Sequence, residues 1–221
     1  MIDEKKIPCV AGSSGLVGSY LVKNLSELYS KVISISRREI KFSKHNVSNV
    51  IVDFENLENE NILKEIDHLY IALGTTRKKA GSAKNFEKVD YHYCLNLARI
   101  ACDWGVKRIS IVSSVGSNSN SNLLYPRTKG KLEDEIFKLS FDHISIMKPG
   151  IILGNRKESR IGEKIAKSIF SIISPLLFGG LAKYKSIHAN DISKAMIYQM
   201  SSEKNGFFQL EFEKIMEFSK K

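Results

Sequence analysis

The chain has 221 residues, 43% of them hydrophobic, and its 34 Lys and Arg against 24 Asp and Glu give a formal net charge of +10. That length and apolar content suit one domain whose core needs no disulfides. The basic charge is scattered, with short clusters at Arg37-Arg38, Arg77-Lys78-Lys79 and Lys183-Tyr184-Lys185 and no basic helix face interleaved with aromatics. A specific nucleic-acid site is therefore not expected, only weak adhesion to polyanions at low salt.

The amino terminus, Met1-Ile2-Asp3-Glu4-Lys5-Lys6, is charged, and the longest apolar stretch, residues 169–181, is short and broken by Pro175 and two glycines. No signal peptide or membrane span is read, and a cytoplasmic location is expected. Cys9, Cys94 and Cys102 are odd in number and lack metal-ligand spacing. They read as buried reduced thiols, and no metal is expected.

Apolar runs of strand character recur at residues 6–11, 31–36, 50–54, 68–73, 107–113, 143–147 and 207–212, with helical patterns between most of them. The clearest helical pattern is Phe86, Val89, Tyr93, Leu97, Ile100 and Ala101, ending at Trp104 and stopped by Gly105. Near-continuous Ile and Val strands alternating with helices predict an α/β fold, a Rossmann-type doubly wound parallel sheet with helices on both faces. Residues 117–122 alternate Ser and Asn and predict a mobile polar loop. From about residue 155 the alternation breaks at Pro175 and Gly179-Gly180, and residues 155–190 are expected to form a small substrate-side lobe of the same domain.

The first apolar run leads into Gly12-Ser13-Ser14-Gly15-Leu16-Val17-Gly18, followed by Tyr20, Leu21, Leu25 and Leu28 at helical spacing. A glycine-rich strand-to-helix turn lets the backbone approach a pyrophosphate and points free N–H groups and the positive end of the helix at the anion. After the second strand comes Ser36-Arg37-Arg38, where an NAD-preferring site usually places an acidic residue for the ribose hydroxyls. Arginines there can fork onto a 2′-phosphate, so NADP(H) is expected to be preferred over NAD(H); the competing reading is a solvated charge pair. Asp53, at the end of the third predicted strand, is placed for an adenine amino group or serves as a turn residue. Gly74-Thr75-Thr76, after the fourth, is placed for the middle of the cofactor.

Tyr125 and Lys129 lie on one face at the start of a helix predicted over 125–139. A neighbouring ammonium favours the phenolate form, so such a tyrosine can give or take a carbonyl proton near neutral pH. Ser113 and Ser114, ending the fifth strand, can hydrogen-bond the same oxygen. The competing reading is a surface Tyr and Lys packing their stems on a helix. Pro126 disfavours helix at the residue before it, which places Tyr125 at the helix boundary.

Together with Val52-Asp53-Phe54, the run from Ala72 to Ser82, Val89-Asp90-Tyr91, Lys148-Pro149-Gly150 and Ile187-His188-Ala189-Asn190-Asp191, these motifs resemble a short-chain dehydrogenase/reductase of the atypical group that includes the Tat-interacting oxidoreductase-like proteins. The resemblance implies that Gly12, Gly15 and Gly18, with Ser13, Ser14, Leu16 and Val17 between them, hold the pyrophosphate, Arg37 and Arg38 the 2′-phosphate, and Asp53 the adenine. It implies that Lys129 touches the nicotinamide ribose and assists Tyr125, and that backbone from Pro149 to Ile152 meets the carboxamide. Ser114 is implied as the catalytic serine, with Ser113 left open; His188 is expected to pack rather than catalyse. The expected function is NADP(H)-dependent reduction of a small carbonyl substrate, the alternative an NADPH-binding redox sensor without turnover. A protein partner or homo-oligomer stays open.

Overall fold

The computed structural model describes residues 2–57, 64–154 and 179–221. Its centre is a parallel sheet of seven strands. β1 (Pro8–Ala11) opens the chain and leads into α1 (Leu16–Leu25); β2 (Val32–Ser36), β3 (Val47–Ile51) and β4 (His68–Ile71) follow. Next come α2 (Arg77–Ala80), α3 (Ala83–Glu87), a π-helical turn (Lys88–Tyr93), α4 (Cys94–Asp103), β5 (Arg108–Val112), α5 (Leu124–Phe137), β6 (His143–Met147) and β7 (Ile152–Leu153). A 3-10 turn (Gly179–Tyr184), β8 (Ile187–His188), α6 (Ala189–Ser201), β9 (Gly206–Leu210) and α7 (Phe212–Phe218) complete the described chain. The strand order is β3-β2-β1-β4-β5-β6-β9, the doubly wound arrangement expected from the sequence, and its order reverses between β1 and β4.

Alternate residues of the central strands feed two cores. Cys9, Ala11, Leu69, Ile71, Ile109, Ile111, Ile144 and Ile146 pack with the apolar sides of α4 and α5, including Leu97, Ala98, Leu132 and Ile136. Val10, Tyr70 and Met147 point the other way, onto Leu21 and Leu25 of α1 and Ile192 and Met196 of α6. Full burial of one such aliphatic side chain contributes about 1.5–3 kcal/mol, so these two layers dominate the stability of the sheet.

The third strand lies at residues 47–51, three residues before its expected position. Its apolar signal misleads because Val52 and Phe54 are buried beyond the strand end, anchoring the turn rather than extending the ladder. The expected helix around Phe86–Trp104 is interrupted by the π-helical turn, a wider winding that shifts the phase of every later side chain. α5 starts at Leu124, so Tyr125 is helical despite Pro126; a proline in the first turn forfeits no intrahelical bond.

The Ser/Asn loop is held rather than loose. Asn118 N–H donates to the Pro126 carbonyl at 3.0 Å, and Arg127 Nη1 donates to the carbonyls of Ser121 and Asn122 at 3.2 and 3.1 Å. A side chain at Gly130 would lie 2.2 Å from Ser119 N, so glycine there lets the loop sit on α5. Of the expected substrate-side lobe, residues 155–178 lie outside the described residues, including most of the apolar stretch at 169–181. Beyond them β8 pairs with β7, a two-residue ladder that no apolar run announced. Among the described residues, no helix is long and apolar enough to cross a membrane.

Candidate active site

The candidate residues gather at the carboxyl ends of the strands, where open α/β sheets bind ligands. Gly12 leaves β1 with φ +91°, and a Cβ there would lie 2.5 Å from the Ala72 carbonyl oxygen; a Cβ on Gly18 would lie 2.1 Å from Gly12 O. Neither position accepts a side chain while the neighbouring backbone stays where it is. Gly15 is the N-cap of α1, with no side chain capping the helix and no acidic residue in its first turn. Free N–H groups and an uncompensated positive helix end thus meet at a backbone cradle that a Cβ would fill, which fits a pyrophosphate.

Ser13 and Ser14 occupy the turn. Ser13 is buried and its hydroxyl accepts from Ser34 Oγ at 2.7 Å, which fixes the turn to β2. Arg37 and Arg38 follow β2 and are exposed, and the Arg38 carbonyl accepts from Ser36 Oγ at 2.5 Å. Neither guanidinium forms an ion pair among the described residues. Asp53 lies two residues past β3, exposed, with its carboxylate accepting from Glu55 N–H at 2.9 Å and Asn56 Nδ2 at 2.6 Å. Those two bonds hold its pKa below the usual carboxylate value. The turn-residue role is thus present, whichever ligand the position also meets.

Beyond β6, Pro149 O accepts from Val115 N–H at 2.9 Å, and Gly150 lies against the carbonyls of Tyr184 and Lys185. Ile152 is in β7, and Gly154 comes close to the Leu16 side chain, so this segment passes from the end of β6 to the start of α1. His188 packs edge-on against Tyr20 and caps α6 by accepting from Asn190 N–H at 3.2 Å, the packing role expected of it.

Tyr125 is 46% exposed in the first turn of α5, its ring 5.9 Å from that of Phe86. One turn on, Lys129 is only 4% exposed, and its Nζ lies 2.9 Å from Asp90 Oδ1, in the π-helical turn. Burial opposes the ammonium charge, but the Asp90 carboxylate, with smaller contributions from Tyr125 and Cys94, raises the Lys129 pKa above its usual value. The other Asp90 oxygen accepts from Thr75 N–H at 2.7 Å, in the Gly74-Thr75-Thr76 turn after β4; Thr76 in turn caps α2.

The two serines have different surroundings. Ser113 Oγ donates a very short hydrogen bond to Glu133 Oε1, and Glu133 Oε2 pairs with Lys148 Nζ at 3.0 Å. Ser114 is 8% exposed, and its Oγ is buried without a hydrogen-bond partner among the described residues. A buried hydroxyl without a partner costs free energy unless a ligand completes it.

Sequence reading gave no role to Asp90, Glu133 or Lys148. The usable signal was Lys129 itself: a lysine on the core side of an amphipathic helix demands a buried acid, and the winding of the preceding helix hid which one.

The fold and this arrangement define an atypical short-chain dehydrogenase/reductase. Solved structures with the same fold include MoeE5 in complex with UDP-glucose and NAD, at TM-score 0.71 and 15% identity over 93% of this chain and 75% of that one. Another is the UDP-N-acetylglucosamine 4-epimerase from Methanobrevibacter ruminantium, at TM-score 0.69 and 18% identity over 95% and 77%. The HIM1 family matches residues 20–179, and the chain belongs to that family. Its relatives include the mitochondrial protein FMP52 of Candida albicans, 39% identical over 85% of each chain, and the protein HTATIP2 of Rattus norvegicus, 34% identical over 94% of this chain and 86% of that one.

The relatives correct one expectation. FMP52 proteins from several yeasts are named mitochondrial, which overturns the cytoplasmic location read from the sequence. The physical reason is that a charged amino terminus and reduced thiols do not separate the cytosol from an organelle that also keeps thiols reduced.

Proposed function

We propose that the protein is a mitochondrial NADP(H)-dependent oxidoreductase that reduces a small carbonyl-type substrate. The observation that carries this reading is the contrast between Ser113, engaged with Glu133, and Ser114, a buried hydroxyl at the carboxyl end of β5 without a partner among the described residues.

Gly12, Ser13, Ser14, Gly15, Leu16, Val17 and Gly18 would hold the pyrophosphate, Arg37 and Arg38 the 2′-phosphate, and Asp53 the adenine. Gly74, Thr75 and Thr76 would line its middle, and Lys129, Pro149 and Ile152 its nicotinamide end. The cofactor, when bound, supplies a hydride to the substrate carbon. Tyr125 then gives its hydroxyl proton to the carbonyl oxygen as charge develops there. Ser114 Oγ donates a hydrogen bond to the same oxygen and so gains the partner it lacks. Ser113, through Glu133, holds the end of β5 against α5, so that serine and tyrosine keep their spacing.

Two alanine variants test the assignment. Ser114→Ala should lower kcat by about 100-fold, the usual cost of losing one donor to a developing oxyanion, with NADPH affinity unchanged. Ser113→Ala should act mainly on thermal stability. Full turnover in Ser114→Ala with loss in Ser113→Ala would contradict it.

A further inference from the structure

We propose that Asp90 is a positioning residue of this site: it fixes the Lys129 ammonium against the turn that follows β4 and leaves two of its N–H donors for the cofactor. The proposal rests on the NADP(H) reading above. Two parts of the chain meet on this one carboxylate. Oδ1 pairs with Lys129 on α5 at 2.9 Å, Oδ2 accepts from Thr75 N–H at 2.7 Å, and a Cβ on Gly74 would lie 3.3 Å from Oδ1. The π-helical turn Lys88–Tyr93 supplies the placement, since a widened turn re-aims its side chains relative to the α-helix on either side.

A purely structural role does not account for the pair. Both charges are almost wholly removed from water, at 4% and 1% exposure, and an apolar pair of similar volume holds two helices together at lower cost. An ammonium carries three donors, and Asp90 is the partner found for Lys129 among the described residues. Meeting its charge lets the lysine remain protonated while buried, and the bond to Thr75 sets its height relative to the loop beside the cofactor path. Lys129 then works as a fixed donor to ribose hydroxyls rather than as a mobile cation.

A double-mutant cycle on the full chain tests this with Asp90→Asn, Lys129→Met and the two combined, reading NADPH affinity by fluorescence titration, kcat, the KM of the carbonyl substrate, and melting temperature separately. Asp90→Asn should weaken NADPH binding and lower kcat by about tenfold each, with the substrate KM nearly unchanged, as displacement of a cofactor-binding group predicts. In the Lys129→Met background the same change should add nothing. If Asp90→Asn alone does not fold, the double variant, with both charges gone, keeps the comparison with Lys129→Met. Multiplicative losses in the double variant, or wild-type affinity and kcat in Asp90→Asn, would overturn the positioning role while leaving the NADP(H) reading in place. A wild-type protein that binds neither NADPH nor NADH would overturn both.

Discussion

Acid should unfold this protein through two histidines at the base of the sheet. His68, Arg108 and His143 are in register across β4, β5 and β6, so their side chains share one face of the sheet. Arg108 is tied to α6 and the turn after it, donating to the carbonyls of Met200 and Ser202 at 3.0 and 2.7 Å. Burial, with the Arg108 charge adding to it, pushes the His68 pKa down to about 4. Burial likewise pushes His143 down to about 4, against a partly offsetting bond at 2.8 Å from its Nδ1 to the Lys204 carbonyl. That bond places the proton on Nδ1, and His143 Nε2 is then a buried acceptor without a partner among the described residues.

Both pKa values lie below those of the unfolded chain, so the unfolded state takes up protons first. The stability is fully present above about pH 6.5, is lost progressively as pH falls towards about 4, and levels off below that. At about pH 4.5 each group has given up about 2.5 kcal/mol, and the two together about 5 kcal/mol, a large share of a typical folding free energy. The assay is urea denaturation followed by circular dichroism at about pH 7.5 and about pH 4.5. His143→Asn, whose side-chain amide can still donate to Lys204 O, should remove about half of the pH dependence. Equal stability of the wild type at the two pH values, or an unchanged difference in His143→Asn, would refute the reasoning.

Three further outcomes follow from the site. Gly18→Ala should abolish NADPH binding in a titration, because its Cβ would lie 2.1 Å from Gly12 O and the turn must open to admit it; retained affinity would mean that the turn is not the pyrophosphate cradle. Arg37→Ala should weaken NADPH binding by about tenfold or more and leave NADH nearly unaffected, as expected for loss of a 2′-phosphate partner; equal losses would remove the argument for NADP(H). Glu133→Gln should lower the melting temperature, because the largely covered Lys148 ammonium would lose its counter-ion and keep only the Gln209 amide oxygen at 3.4 Å; the check is thermal unfolding, and an unchanged midpoint would contradict it.

Much of this architecture can be read before any coordinates. Pro8-Cys9-Val10-Ala11 followed by spaced glycines specifies a buried strand, a tight turn and a helix, because few other backbones tolerate that order. α5 begins one residue before its expected start, and Tyr125 and Lys129 share its face as the spacing requires. The cytoplasmic assignment failed because composition carries no compartment address of this kind. What escaped lies where local pattern and tertiary context disagree. Val52 and Phe54 look like strand residues yet anchor a turn, and the Ser/Asn loop looks free yet is bound to Pro126 and Arg127. Asp90 escaped for a different reason: a π-helical turn has no simple sequence period, so its side-chain directions cannot be counted off from either flank.

The most direct test of the account is NADPH oxidation against a panel of aldehydes, ketones and quinones, comparing the wild type with Tyr125→Phe once both are shown to bind the cofactor. The account predicts turnover by the wild type that collapses in the variant while NADPH affinity is retained; tight NADPH binding with no turnover by the wild type, or equal turnover by both, would contradict it.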